Sequence, residues 1–366
     1  MRSVKRHIYI FIFQIFLLGL LLPSMGCIEA IELEEPELDS ELVITGNISP
    51  GAVTHQVEIF ISSPFGDLIP EYVKGASVAV IDERGNSYPF EEKDAGVYTW
   101  NSENRPVQVG ESFYLTVALA DGRTYQSGVE RIPQPIPIER SYFEVTTDVF
   151  TNEFGNPVQT KFVDVFVDVE IPSSEESALL RFETDRVYVF REVDWPKPPC
   201  DPRRFPSTCY ILEGKSQPEE VVLLDGDDFQ VGPVERIWVG RKRLDSTFNQ
   251  LSVFSVIQKS TSRSSFSYWQ DISKVSSPGG SIFDVPPSPV RGNIFNPDDP
   301  GEIILGNFEA VNADTARVLI FPTDLDMNFV PPYCQPVRFR PCVYYAPCLA
   351  CWLIPNYTME RPHYLP

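Results

Sequence analysis

The sequence predicts a mostly β protein, in which an N-terminal β-sandwich precedes a larger β domain with one amphipathic helix and a disulfide-rich C-terminal tail. Short β-branched segments recur at intervals of about 8 to 12 residues, as in sandwich folds. Proline accounts for 34 of the 366 residues, which suits rigid turns better than helices. A helical apolar period is apparent in a single segment.

Residues 1–26 have the features of a secretory signal peptide. Basic residues in Met1–His7 precede the apolar run Ile8–Leu22, which is shorter than the about 20 residues that a membrane-spanning helix needs. The run is followed by Ser24-Met25-Gly26-Cys27. Two of the three residues before this cysteine are small, as lipoprotein signal peptidase requires. We therefore expect an acylated Cys27 that anchors the chain to a lipid leaflet, the alternative being ordinary cleavage and an incidental thiol.

Residues 27–41 are predicted to be an acidic tether. Like charges at this density repel one another and keep a segment extended. A solvated spacer is the simplest interpretation, and a sorting signal is the alternative. The acidic residues are Glu29, Glu32, Glu34, Glu35, Glu37, Asp39 and Glu41.

The N-terminal sandwich is assigned to residues 42–136. Strand-like segments begin at Leu42, Gln56 and Ala76, and turn signals lie at Asp82–Asn86 and Ala120–Arg123. The segment Ile132–Pro137 cannot donate a full set of ladder hydrogen bonds because of its prolines, so we expect it to be extended. The domain boundary is placed there.

Residues 137–366 are assigned to the second β domain. Valines and Ile171 alternate with mostly acidic residues over 163–171, which predicts a strand with one buried face and one solvated, acidic face. Strand-like segments continue at Leu179–Thr184, Arg186–Phe190, Val234–Val239 and Leu251–Ile257.

One amphipathic helix is predicted at Ser262–Ser276. Phe266, Trp269, Ile272 and Val275 recur at intervals of three, and Pro278-Gly279-Gly280 ends the pattern. We expect the apolar face of this helix to pack in the core, and a ligand platform is the alternative.

Six cysteines follow Cys27, an even number that favours disulfides in an oxidising compartment. Two of them could close a short ring around a Pro-rich loop, and the other four lie close together in the tail, but the sequence leaves the pairing open. A four-thiolate zinc site and a redox Cys348-Leu-Ala-Cys351 pair are the alternatives. The candidates are the ring pair Cys200 and Cys209 and the tail residues Cys334, Cys342, Cys348 and Cys351.

Composition argues against several classes of function. The formal net charge of -21 disfavours nucleic acid and anionic headgroups as ligands. His7 is removed with the signal peptide, so His55 and His363 would have to meet to build a histidine-based site. No nucleophile elbow or phosphate-binding loop is present. A hydrolase built on two carboxylates needs no such motif, and it remains a third functional hypothesis.

Two acidic segments could offer oxygen ligands to calcium. Neither Asp225–Asp228 nor Asn296–Pro300 has the spacing of an EF-hand loop, and turn chemistry explains both. We therefore expect no metal and no cofactor beyond the covalent lipid, and no catalytic residue is assigned.

Aromatic residues cluster near the cysteines. On rigid disulfide loops they could contact a protein or a sugar, or they could pack over the disulfides as a satellite core. These contact candidates are Trp195, Tyr333, Tyr344, Tyr345 and Trp352.

The order of several motifs resembles the domain-of-unknown-function family 4249. Gly280–Asp284, Arg291–Ile294 and Leu305–Phe308 follow in the family's order, ahead of a Cys-rich tail that ends near Pro362. In the first half, Leu42–Gly46 and Asp121–Tyr125 agree as well. Asn307 stands where family members often have an aromatic residue, and Leu353–Thr358 differs from the Gly- and Thr-rich end that the tail usually has in the family.

The resemblance implies an immunoglobulin-like or transthyretin-like N-terminal sandwich. Family members are lipoproteins of Bacteroidota, whose surface-export signal is similar to the acidic tether of this sequence. Members are often encoded beside TonB-dependent receptors, so the resemblance implies an accessory role in nutrient uptake at the outer membrane, with the chain facing the exterior. A structural or adhesive cell-surface component is the alternative.

Overall fold

The alternation of apolar and polar residues produces two β systems in the part of the chain that the structure describes. The structure is a computed structural model. It describes residues 40–63, 70–151, 154–173, 177–192, 207–215, 221–276, 289–325 and 350–366.

The described residues between 42 and 131 form nine strands, which follow one another along the chain. Their bounds are β1 Leu42–Ile48, β2 Thr54–Ile61, β3 Glu71–Tyr72, β4 Ser77–Asp82, β5 Ser87–Asp94, β6 Val97–Asn101, β7 Ser112–Ala118, β8 Thr124–Ser127 and β9 Glu130–Arg131.

The remaining described chain adds longer strands and one α-helix, α1, which spans Arg263–Ser276. The strands are β10 Ile138–Thr151, β11 Pro157–Ile171, β12 Leu179–Arg191, β13 Thr208–Lys215, β14 Val222–Asp225, β15 Gly232–Arg243, β16 Ser252–Ser260, β17 Ile294–Phe295, β18 Ile304–Leu305, β19 Phe308–Ala310, β20 Asn312–Ile320 and β21 Tyr357–Thr358. The mostly β fold with one helix is confirmed.

The first β system is a sheet that folds over on itself. Its order is β17-β8-β7-β4-β5-β6-β2-β1-β18, with β19, β3 and β9 attached at its margins. Strand β5 pairs with β4 through its first half and with β6 through its second half, so it connects the two layers. Ile44 and Ile59 from one layer share a core with Val80 and Leu115 from the other, which is the sandwich-like arrangement that the strand rhythm predicts.

Three strands of this sheet come from far along the chain. Strands β18 and β19 pair in parallel with β1, and β17 pairs with β8. The backbones approach closely there: a Cβ on Gly306, between β18 and β19, would lie 2.2 Å from the Ile44 carbonyl oxygen of β1. Some residues beyond position 136 therefore belong to the first β system.

In the second β system, a three-stranded sheet packs on a six-stranded one. The order β10-β11-β15 forms what we call the blade, and the six-stranded sheet runs β20-β16-β12-β13-β21 with β14 beside β12. Val163, Val165 and Val167 of the blade are fully buried against residues such as Phe182 and Val256. The buried face predicted for this strand is confirmed.

The expectation of a solvated opposite face is wrong at its centre. Asp164 is 2% exposed and accepts hydrogen bonds from Arg241 Nε (2.6 Å) and Trp238 Nε1 (3.1 Å). Phe166 is buried beneath the Arg236 guanidinium, 4.5 Å from the ring centroid. Side chains from the neighbouring strand β15 cover these two residues, and Glu170 is the one polar residue of this row that remains exposed.

A disulfide joins the six-stranded sheet to the C-terminal segment. It links Cys209 on β13 to Cys351, across 142 residues of sequence. The bond excludes a ring between Cys200 and Cys209 and a redox pair between Cys348 and Cys351. Both half-cystines are buried in a small cluster with Tyr188 and Ile211.

Candidate functional site

A polar cleft lies where the two β systems meet helix α1. Its volume is about 490 Å³, which falls within the range of about 300–1,000 Å³ that is usual for ligand sites. Its walls come from β1 and β2 of the first system, β12 and β16 of the second, helix α1 and the segment that enters β19. The lining residues are Thr45, Gly46, Asn47, Gln56, Glu58, Arg181, Glu183, Val221, Lys259, Tyr268, Trp269, Asn307 and Glu309.

A buried charge network forms one wall of this cleft. Arg181 donates from Nη1 and Nη2 to the two carboxylate oxygens of Glu309, each at 2.9 Å. Glu183 Oε1 lies 3.1 Å from the same guanidinium and accepts from Lys259 Nζ at 2.8 Å. Burial lowers the pKa of Lys259, and the charge of Arg181 lowers it further. Two cations and two carboxylates are thereby held in fixed geometry.

Helix α1 presents two aromatic side chains to the cleft. Trp269 donates from Nε1 to Glu309, and the Arg181 guanidinium lies 4.0 Å from its ring centroid. The Tyr268 ring meets Trp269 edge-on, with centroids 5.7 Å apart. Burial, helped by the charge of Glu309, raises the pKa of Tyr268 to about 12. The predicted apolar face is thus divided, because Phe266 is buried in the core whereas Trp269 lines the cleft.

The outer face of the β1–β2 hairpin forms the opposite wall. Thr45 pairs across the strands with Glu58, and Asn47 pairs with Gln56. Because side chains alternate along a strand, these four polar groups share one face while Ile44 and its neighbours fill the core. Gln56 Nε2 donates to Glu58 Oε1 at 2.6 Å.

A second polar cluster fixes the start of helix α1 beside the cleft. Glu130 is buried and accepts hydrogen bonds from Ser262, Ser264 and Asn293 Nδ2. Burial raises the pKa of this carboxyl, and Glu309 raises it further. Asn307 Nδ2 donates to Ser265 Oγ at 3.0 Å, so the asparagine in place of a family aromatic is a structural partner of the helix.

The end of the blade is a different kind of surface. The pairing of β15 with β11 ends at Phe162, beyond which β10 and β11 continue as a two-stranded hairpin. Apolar side chains remain exposed on this hairpin end, which we call the blade tip: Val149 by 62%, Phe150 by 47% and Phe154 by 78%. Phe150 pairs across the hairpin with Val158, which is 40% exposed, and grouped exposed apolar residues of this kind mark interaction surfaces.

Several predicted site residues lie outside the described residues. Of the contact candidates, Trp352 is described, and it is 50% exposed beside the disulfide cluster. Of the disulfide candidates, Cys209 and Cys351 are described. Those outside the described ranges are Cys27, Cys200, Cys334, Cys342, Cys348, Trp195, Tyr333, Tyr344 and Tyr345.

Turn chemistry accounts for the two acidic segments considered for calcium. Asp225 accepts from the backbone N–H of Asp227, and both carboxylates pair with Arg263. Asn296 Oδ1 accepts from the backbone of Asp298 at 2.9 Å, as in an Asx turn. Within the described ranges, no three His, Cys, Asp or Glu side chains are grouped so as to hold a metal ion.

His55 lies in the core of the first β system. Its Nε2 is 2.9 Å from Ser102 Oγ, and its ring is 5.0 Å from that of Trp100. Burial lowers its pKa to about 4, so the imidazole is neutral at pH 7.

The residues of the cleft carry few local signals in the sequence that would identify them as a site. Arg181 carried a usable signal, because it interrupts the apolar run Leu179–Phe182, and charged residues are fully buried only when they are paired. Its partner Glu309 had no comparable signal, because pairing across 128 residues leaves no local pattern.

None of the helices in the described ranges is long and apolar enough to span a membrane. The model of a family described as "Domain of unknown function (DUF4249)" matches residues 28–317, which confirms the resemblance seen in the motifs. No curated protein matches the chain.

Proposed function

The chain belongs to the DUF4249 family, and from this premise we propose that it is a non-enzymatic, surface-exposed outer-membrane lipoprotein that assists a TonB-dependent transporter in nutrient uptake. The lipid on Cys27 would hold it to the leaflet, and residues 27–41 would space it from the surface. The disulfide between Cys209 and Cys351 suits an oxidising compartment outside the cytoplasm.

The exposed apolar residues of the blade tip support the docking part of this proposal. A two-stranded hairpin end has little core of its own, and Val149 and Phe150 remain 62% and 47% exposed, although the Phe150 ring packs on that of Phe162 with centroids 5.5 Å apart. Their burial against a partner would be favourable by about 25 cal/mol for each Å² of apolar surface removed from water. The proposed partner surface is a β-barrel receptor in the same membrane.

Affinity purification of the full-length chain from native outer membranes tests this assignment. We expect a TonB-dependent receptor to co-purify with the unmodified protein, and Val149→Asp to reduce its recovery at least about tenfold, since a desolvated charge opposes docking. Val129→Asp is the matched control, because Val129 is 68% exposed but lies between β8 and β9. Recovery without any barrel partner, or equal losses in both variants, would contradict the proposal.

The anchor is tested separately by intact mass spectrometry of the membrane-extracted protein. We expect a mature chain that begins at an acylated Cys27, and a Cys27→Ser variant that leaves the membrane fraction. An unmodified thiol at Cys27 would contradict lipid anchoring.

A further inference from the structure

We propose that the polar cleft is a binding site for a neutral oligosaccharide. This inference goes beyond the proposed docking function, because it rests on the cleft alone and requires neither the blade tip nor a membrane partner.

The cleft is a rigid, preformed site. The ion pairs among Arg181, Glu309, Glu183 and Lys259 are buried, so moving one member would leave another charge without a partner. Trp269 is fixed between the Arg181 guanidinium and the Tyr268 ring. Preorganisation of this kind lowers the entropic cost of binding a ligand.

The cleft also offers hydrogen-bonding groups that the described residues do not satisfy. The hydroxyls of Thr45 and Tyr268 and the amide of Asn47 have no hydrogen-bond partner within the described ranges. Hydroxyl and amide groups both donate and accept, so they match a ligand whose own groups do the same.

The walls of the cleft carry more carboxylates than cations. Glu58, Glu183 and Glu309 outnumber Arg181 and Lys259 on the cleft walls, and both cations are already paired with carboxylates. A phosphate or carboxylate ligand would therefore approach a site with an excess of negative charge.

The strands that line the cleft leave no place for an extended peptide added as a further strand. Strand β1 pairs with β2 along one edge and with β18 and β19 along the other. The wall thus has no free backbone edge for strand addition, and a ligand must be recognised by side chains.

A sugar ring satisfies these four conditions together. Its hydroxyl groups can donate to Glu58 and accept from Asn47 or Tyr268, and its C–H surfaces can pack on the exposed parts of Tyr268 and Trp269. A purely apolar ligand would leave the Thr45, Asn47 and Tyr268 groups unpaired after desolvation.

The test is calorimetric titration of the detergent-solubilised full-length protein with malto-, cello-, xylo-, manno- and laminari-hexaose. Oligogalacturonate, chitosan hexaose and an alanine-rich hexapeptide serve as anionic, cationic and peptide probes. We expect saturable binding of at least one neutral hexaose, and weaker binding of the anionic and peptide probes.

Two variants assign the binding to the cleft. Tyr268→Phe keeps the ring and removes one hydroxyl, while Asn47→Ala changes an exposed side chain that the fold does not need. Each should weaken binding roughly fivefold, as expected for one lost hydrogen bond. Gln270→Ala is the control, because Gln270 is exposed on the same helix outside the cleft.

Three outcomes would overturn the inference: no binding of any neutral hexaose, preferential binding of the anionic, cationic or peptide probe, or equal affinity in the variants and the control. The blade-tip variant Val149→Asp should bind the hexaose like the unmodified protein. Failure of the cleft proposal is therefore distinguishable from failure of the docking proposal.

Discussion

Arg181 and Glu309 form a bidentate ion pair that joins the two β systems, although 128 residues separate them in the chain. Arg181 belongs to β12 of the six-stranded sheet, and Glu309 belongs to β19 of the first sheet. Both side chains are less than 10% exposed. A pair this deeply buried stabilises the fold only while it is complete, because either charge alone would remain in a medium that disfavours it.

We predict that Glu309→Gln destabilises the protein by about 3–5 kcal/mol, the usual cost of breaking a buried ion pair. Trp269 and the Arg181 guanidinium would both lose their charged acceptor. Urea denaturation followed by far-UV circular dichroism measures the change. The double variant Arg181→Met/Glu309→Leu should recover part of the loss.

The control for this prediction is the exposed pair of Lys274 and Asp271 on helix α1. Asp271→Asn should change the free energy of unfolding by less than about 1 kcal/mol, because water screens such pairs. Equal losses for Asp271→Asn and Glu309→Gln would show that the buried pair has no special role.

We predict an acid-dependent loss of stability that depends on His55. Its pKa is about 4 in the folded protein and 6.5 in the unfolded chain. As the pH falls below about 6.5 the unfolded chain takes up the proton first, so stability that is complete above that pH is lost progressively towards pH 4, by up to about 3 kcal/mol. Urea unfolding at pH 7.5 and pH 4.5 measures this loss.

A His55→Gln variant isolates the contribution of the imidazole from that of the carboxylates. The variant should be less stable at pH 7.5 because the contact with Ser102 is altered, but its stability should fall less between the two pH values. An identical decrease in both proteins would rule out His55 as the source.

We predict that Cys209 and Cys351 are cross-linked in the protein isolated from membranes. Non-reducing peptide mapping should yield one disulfide-linked peptide that contains both cysteines. The double variant Cys209→Ala/Cys351→Ala should lose about 2–5 kcal/mol, since the bond closes a loop of 142 residues. A peptide that instead links Cys200 to Cys209 would contradict this pairing.

Local pattern was sufficient where one strand or turn carries its own signal. The valines of β11 predicted a buried face because the period of two needs no knowledge of the partner. The turn between β4 and β5 and the helix α1 followed equally from local chemistry, namely Gly85 in a turn and an apolar period ended by Pro278.

Sequence reasoning failed where a distant strand determines the environment. Asp164 reads as a solvated strand position, but Arg241 and Trp238 arrive from β15 and bury it. Strand β10 was missed because most of its side chains are partly or fully exposed, which leaves little apolar alternation. The cleft could not be predicted for the same reason, since its walls belong to elements that meet only after both β systems form.

Where the chain returns to the first sheet, the backbone at Gly292 packs directly on the backbone at Gly306. A Cβ on Gly292 would overlap the carbonyl oxygen of Gly306, whereas a Cβ on Gly301 would meet only the flexible Asp299 carboxylate at 3.3 Å. We expect Gly292→Ala to cost more than about 2 kcal/mol, because backbone has to move to relieve the overlap, and Gly301→Ala to cost less than about 0.5 kcal/mol. Thermal unfolding of the two variants measures the difference. Equal melting temperatures would mean that β18 and β19 do not approach the Arg291–Ile294 segment closely.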